Sequence, residues 1–184
     1  MADERPVDEQ VRHRVETGVA WITLDRPEVG NAITPAQRDR VIELLGAASG
    51  DLATRAVVLT ATGKAFCTGA DLRAARPPAD RPEGAPDRAV GDVSRTIRDG
   101  AQRLVAAVLD CEKPVIAAVN GTAAGIGAHL ALACDLVLAA ESASFIEVFV
   151  RRGIVPDGGG AYLLPRLIGP HRAKELMFLG DKLS

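Results

Sequence analysis

The sequence has no surplus of charge of one sign. Its 22 lysines and arginines stand against 24 aspartates and glutamates, a net charge of −2. The basic residues are scattered along the chain, which argues against a nucleic-acid partner. Cysteine is scarce: Cys67, Cys111 and Cys134 are odd in number and widely spaced. They make neither a disulfide frame nor a zinc pattern, and they fit reduced, buried thiols in a cytoplasmic protein. Gly-x-Ser-x-Gly is absent, and His13, His129 and His171 lack metal-ligand spacing, so neither a serine-hydrolase elbow nor a metal site is expected. The N-terminus, Met-Ala-Asp-Glu-Arg-Pro, is too polar for a secretory signal. Val115 to Cys134 carries no formal charge, but Asn120, Gly121, Thr122, Gly125, Gly127 and His129 interrupt it. A membrane span there would leave polar groups unpaired in lipid, so none is expected.

What is present describes an ordinary globule. At 184 residues, with 47% apolar and 25% charged residues, the chain reads as one domain, residues 1–184, around one core. Val11–Glu16 and Val19–Leu24 read as strands joined by a hairpin at Thr17-Gly18. Thr34, Pro35 and Gln37 form the start of a helix with a capping box, its inner stripe being Val41, Leu44, Leu45 and Ala48. A strand is expected at 56–60. Residues 73–92, with four prolines among alternating charges, read as a mobile surface loop. One long helix is expected over 93–109, with Val93, Ile97, Leu104, Val105 and Val108 inward. Strands follow at 115–119 and 136–139, with helices near 126–134, 161–167 and 172–179. Strand and helix alternate, an α/β pattern.

Two glycine-rich turns hold the chemistry. The first, Gly121 to Gly127, follows an apolar strand and opens an apolar helix. Small residues at a helix start leave backbone N–H groups bare, with the helix dipole behind them. Such a turn suits a phosphate or the negative oxygen of a reacting carbonyl. A dinucleotide site fits poorly: the third glycine position is Leu130, the helix is short, and the turn is long. His129 reads as a packed helix residue, with an active-site role as the sharper alternative. The second turn, Pro156-Asp157-Gly158-Gly159-Gly160, holds a carboxylate after an apolar run. Asp157 is either the N-cap of the next helix or a general base whose pKa is raised by apolar walls.

In order and spacing, a set of motifs resembles the enoyl-CoA hydratase/isomerase (crotonase) family. They are Leu24-Asp25-Arg26-Pro27 with Asn31-Ala32, Val57-Val58-Leu59-Thr60, and Lys64 through Leu72. Lys113 through Gly121, Ala133-Cys134-Asp135 and Gly153 through Gly159 complete the set. The resemblance implies a crotonase/ClpP-like spiral of repeated ββα units that binds acyl-CoA thioesters, with no cofactor beyond the coenzyme A of the substrate. It implies that the amides of Ala70 and Ile126 polarise the thioester carbonyl. It also implies that Ala32, Thr68, Asp71, Leu72, Arg73, Gly125 and Phe149 border the substrate path.

The family's hydratases use two glutamates, and here those positions hold His129 and Phe149; Glu141 and Glu147 lie nearby in sequence but off the motif positions. Asp157 occupies the place of the single acid in the isomerase branch, which includes enzymes of phenylacetate breakdown. The resemblance therefore favours a double-bond isomerase of fatty-acid-type substrates with Asp157 as base and then acid. A hydratase, another CoA-thioester hydrolase or lyase, and a non-catalytic acyl-CoA binder are the alternatives. Family members usually continue through further helices that cover the site and build a trimer or a dimer of trimers. This chain is read as the core that precedes them.

Overall fold

The computed structural model describes residues 5–73, 84 and 90–184. A short helix, α1 (Val7–Gln10), leads into the hairpin β1 (Val11–Glu16) and β2 (Val19–Leu24), turned by Thr17 and Gly18 at positive φ. The capping box at the start of α2 (Pro35–Gly50) is formed as its sequence indicates: the Thr34 hydroxyl accepts from the Gln37 amide, and the Gln37 side chain accepts from the Thr34 amide. Val41, Leu44, Leu45 and Ala48 are its buried face. The strands β3 (Ala56–Ala61) and β4 (Ala65–Cys67) follow. Most of the 73–92 loop lies outside the described residues.

The helix expected over 93–109 is present, with a π turn in its middle. It runs as α3 (Val90–Ile97), a π-helical turn (Arg98–Gln102) and α4 (Arg103–Leu109). A π turn adds residues to one turn of helix and rotates the stripe that follows it. Leu104, Val105 and Val108 are buried accordingly, whereas Val93 is 62% exposed and is not part of the inner face. The chain continues through β5 (Val115–Val119), β6 (Thr122–Ala124), α5 (Ile126–Leu132), β7 (Leu136–Ala139) and β8 (Ser144–Ile146). It ends with α6 (Gly160–Ile168), α7 (Pro170–Leu179) and β9 (Lys182–Leu183).

The strands divide between two sheets in a regular way. One sheet has the order β1-β2-β3-β5-β7, the other β4-β6-β8-β9. Within the first, β2, β3, β5 and β7 are parallel neighbours; within the second, β4, β6 and β8 are. The coils that begin at β3, β5 and β7 thus each give one strand to each sheet and then a helical segment, which is a spiral of ββα units. Alternation along β3 and β5 sends Val57, Leu59, Val115, Ala117 and Val119 into a core shared with Leu45, Phe66 and Leu104. At the far edge of the first sheet, Leu136, Val137 and Leu138 of β7 are exposed.

Candidate active site

Because β4, β6 and β8 are parallel, their carboxyl ends lie along one edge, where ligands gather in parallel-sheet folds. The turn holding Ala70 follows β4, the turn holding Ile126 follows β6, and Glu147 and the Asp157 turn follow β8.

The first turn is fixed by a parallel bridge between Ile33 and Ala70. The Ile33 amide donates to Gly69 O at 2.8 Å and the Asp71 amide donates to Ile33 O at 2.9 Å. In that pattern the intervening Ala70 amide turns away from Ile33. Gly69, at φ 112°, brings the turn against Ala124 at the end of β6, where an added Cβ would sit 3.4 Å from Ala124 O. The loop before Ile33 is pinned by Asn31, whose side chain donates to Thr62 O and Ala65 O and accepts from the Arg26 amide.

The second turn pivots on Gly125, whose φ of 53° and ψ of −124° suit glycine far better than any residue with a Cβ. Its amide donates to Ile146 O at 3.0 Å, leaving Ile126 as the first residue of α5 with its N–H at the helix start. Gly127 lets α5 lie directly on β4, since a Cβ there would overlap Cys67 O.

The third turn decides between the two readings of Asp157. Helix α6 begins at Gly160, its N-cap is Gly159, and no side chain caps it, so Asp157 is not the cap. Its carboxyl is half-buried and its pKa is raised. Burial is the main cause; a positive charge on His129 would oppose it, as do hydrogen bonds from its own amide and that of Gly158, while negative Glu147 adds to it. Gln102 of the π turn donates to Asp157 O at 3.2 Å and ties the turn to the helix beside it.

A feature that motif matching passed over lies beneath this turn. His129 is fully buried, and its Nε2 lies 3.1 Å from Glu147 Oε2, with Glu147 only 3% exposed. The imidazole stacks on Phe149 with ring centres 5.0 Å apart. Gly158 and Gly160 close over it: a Cβ on Gly160 would overlap the ring, and one on Gly158 would come within 3.0 Å of Nδ1. Motif position excludes Glu147 as an acid of the site. The available signal was chemical: a lone carboxylate within the apolar run Phe145 to Val150 must find a buried partner.

The remaining residues named from sequence divide by environment. Ala32 is buried, Phe149 is buried against His129, and Thr68, Leu72 and Arg73 are exposed. The Asp71 carboxylate points inward, 3.1 Å from Arg26 Nη1, whose guanidinium also donates to Ala32 O and Gln37 Oε1. Burial pushes the Asp71 pKa up, but hydrogen bonds from Arg73 and Arg26 outweigh that and hold it below its ordinary value. Among the described residues, no group of three His, Cys, Asp or Glu side chains could hold a metal ion. No helix among them is long and apolar enough to cross a membrane.

The two-sheet spiral with its row of turns is the crotonase fold. Residues 14–184 match the family described as Enoyl-CoA hydratase/isomerase. A probable enoyl-CoA hydratase of Rhodobacter capsulatus is 42% identical over 95% of this chain and 63% of its own length. The 1,2-epoxyphenylacetyl-CoA isomerase of Escherichia coli is 40% identical over 96% of this chain and 64% of its own. Among solved structures, a putative enoyl-CoA hydratase from Streptomyces coelicolor superposes with a TM-score of 0.82 at 38% identity, covering 99% of this chain and 64% of that one. The chain belongs to the enoyl-CoA hydratase/isomerase family, and it spans a little under two thirds of the length of these relatives.

Proposed function

We propose that this chain is the core of an enoyl-CoA double-bond isomerase with Asp157 as its single acid–base group. The observation that carries the reading is the Asp157 turn: a half-buried carboxylate with a raised pKa, free of capping duty, packed over Ile126 and His129. In the proposed reaction on a β,γ-unsaturated thioester, Asp157 takes a proton from the α-carbon. The C–H electron pair moves into the chain of double bonds and the carbonyl π pair onto the thioester oxygen. The amides of Ala70 and Ile126 hold that oxygen, each such donor contributing about 3–4 kcal/mol. Collapse of the dienolate restores the carbonyl, and the γ-carbon takes the proton back from Asp157. No proton or electron is gained or lost overall, so one carboxyl group suffices.

The Escherichia coli relative, named as an isomerase, supports this reading. A hydratase is the second reading, favoured by the name of the Rhodobacter relative and by His129 and Glu147, which bring further titratable groups to the same turn. A binder of acyl-CoA without catalysis is the third. The substrate is an acyl-CoA, and coenzyme A enters only as part of it. Exposed apolar residues on β7, α6 and α7, including Leu138, Tyr162, Leu167 and Phe178, favour association into a trimer or a dimer of trimers.

The test is mass spectrometry of a β,γ-unsaturated acyl-CoA and its α,β-isomer incubated in heavy water with wild type and Asp157→Ala. Deuterium incorporation with double-bond migration, lost in the variant, is the expected result. Gain of the mass of one water would mean hydration instead. A folded protein that binds the thioester and exchanges no hydrogen would sink both catalytic readings.

A further inference from the structure

We infer that His129, oriented by Glu147, is a positioning residue for Asp157 and receives the hydrogen bond of the Asp157 carboxyl while that carboxyl is protonated. The inference builds on Asp157 as the base. It starts from an unmet polar atom: among the described residues, the fully buried Nδ1 of His129 has no hydrogen-bond partner. An imidazolium would carry a proton on that nitrogen, and a buried donor without an acceptor is costly and rare. A neutral ring with its proton on Nε2 is satisfied by Glu147 at 3.1 Å and leaves Nδ1 as a lone-pair acceptor. The ring cannot turn to hide that lone pair, because Phe149 stacks on one face and Gly160 presses on it.

Nδ1 faces the backbone of Gly158, the residue next to Asp157. The titration of Asp157 is coupled to His129, when that ring is charged, and to Glu147. When Asp157 takes a proton from substrate, its new O–H becomes a donor in a half-buried place. The acceptor aimed at that turn is Nδ1. The hydrogen bond exists only in the protonated form, so it favours that form and keeps the proton directed during the life of the intermediate. When the proton returns to carbon, Asp157 is again a carboxylate and His129 is unchanged, so no proton passes through the ring. Glu147 acts one step further out, fixing the tautomer as outer carboxylates fix metal-bound histidines.

The test is the titration of Asp157, followed by carbon-13 NMR of labelled aspartate carboxyls and assigned by the loss of one signal in Asp157→Asn. His129→Gln puts an amide where Nε2 stood, so Glu147 keeps a partner while the acceptor at Nδ1 is removed. The Asp157 pKa is expected to fall in His129→Gln toward the ordinary carboxylate value. In His129→Asn, which places an amide oxygen near the former Nδ1, it is expected to stay closer to wild type. Turnover of β,γ-unsaturated acyl-CoA should drop about tenfold or more in the glutamine variant, in kcat rather than KM.

An unmoved Asp157 titration in folded His129→Gln would overturn the inference. Should that variant not fold, nitrogen-15 spectra of wild-type His129 decide: a protonated Nδ1 at neutral pH rejects the role, and a lone-pair Nδ1 that shifts in Asp157→Asn supports it. Wild-type protein that shows the coupled titration yet moves no double bond would defeat the isomerase reading and leave this hydrogen bond standing.

Discussion

Two aspartates at the same sheet edge sit in opposite surroundings. Asp71, after β4, is buried in ion pairs with Arg26 and Arg73, and its pKa is lowered. Asp157, beyond β8, is half-buried with no arginine partner among the described residues, and its pKa is raised. The first carboxylate is neutralised by fixed cations and braces the loop that presents Ala70. The second sits where burial disfavours its charge, as the proposed proton shuttle requires. Residue type does not set the two apart; their surroundings do.

The largest expected effect comes from removing the second carboxylate. Asp157→Asn should cut hydrogen exchange between water and a β,γ-unsaturated acyl-CoA by roughly 10²–10⁴-fold, the usual range for a positioned acid–base group. Circular dichroism should show the fold intact. Equal exchange in wild type and variant would remove Asp157 from the reaction.

Breaking the other aspartate's partner should instead cost stability. Arg26→Ala leaves Asp71 without its buried guanidinium, Arg73 being exposed, and should lower unfolding free energy by about 3–5 kcal/mol in urea titrations. A double variant, Arg26→Met with Asp71→Leu, should recover much of that loss. If Arg26→Ala unfolds at the wild-type midpoint, the ion pair is not a brace.

A pH series sharpens the contrast, because the two shifts have opposite signs. Asp71 has a folded pKa below 3.8, so its contribution is complete above that value and is lost as pH falls through the lower folded pKa. Asp157 has a folded pKa above 3.8, so ionising it costs stability as pH rises through that higher pKa. Asp157→Asn should therefore be slightly more stable than wild type at neutral pH and no more stable at strongly acid pH. The acid limb of the wild-type rate profile should lie above 3.8. The smallest effect is a control: Leu52, 95% exposed and far from both turns in sequence, should change stability by less than about 0.5 kcal/mol when replaced by serine.

Local rules made much of the fold legible. The Thr34–Gln37 capping box, the Thr17-Gly18 hairpin and the strands at 56–60 and 115–119 rest on neighbours in sequence, and all appear as read. The helix over 93–109 forms too, but its inward stripe was only partly legible, because a π turn at Arg98–Gln102 resets the period and leaves Val93 outward. No residue pattern there announces the extra step. In the candidate site, position in a motif picked out His129 and Asp157 but set Glu147 aside. Pairing across 18 residues depends on β8 lying beside β6, which only the completed sheet brings about.

The row of turns also sets an order of assembly. Parallel neighbours are separated by about 4.8 Å, so successive coils place their turns at successive stations along one edge. A chain made from its N-terminus meets Ala70 first, then Ile126, then Asp157. The two amides can be brought together once β6 docks beside β4, before the carboxylate has a surface to rest on. Of the three turns, the one that holds the proposed acid–base group is thus made after the two that would flank it.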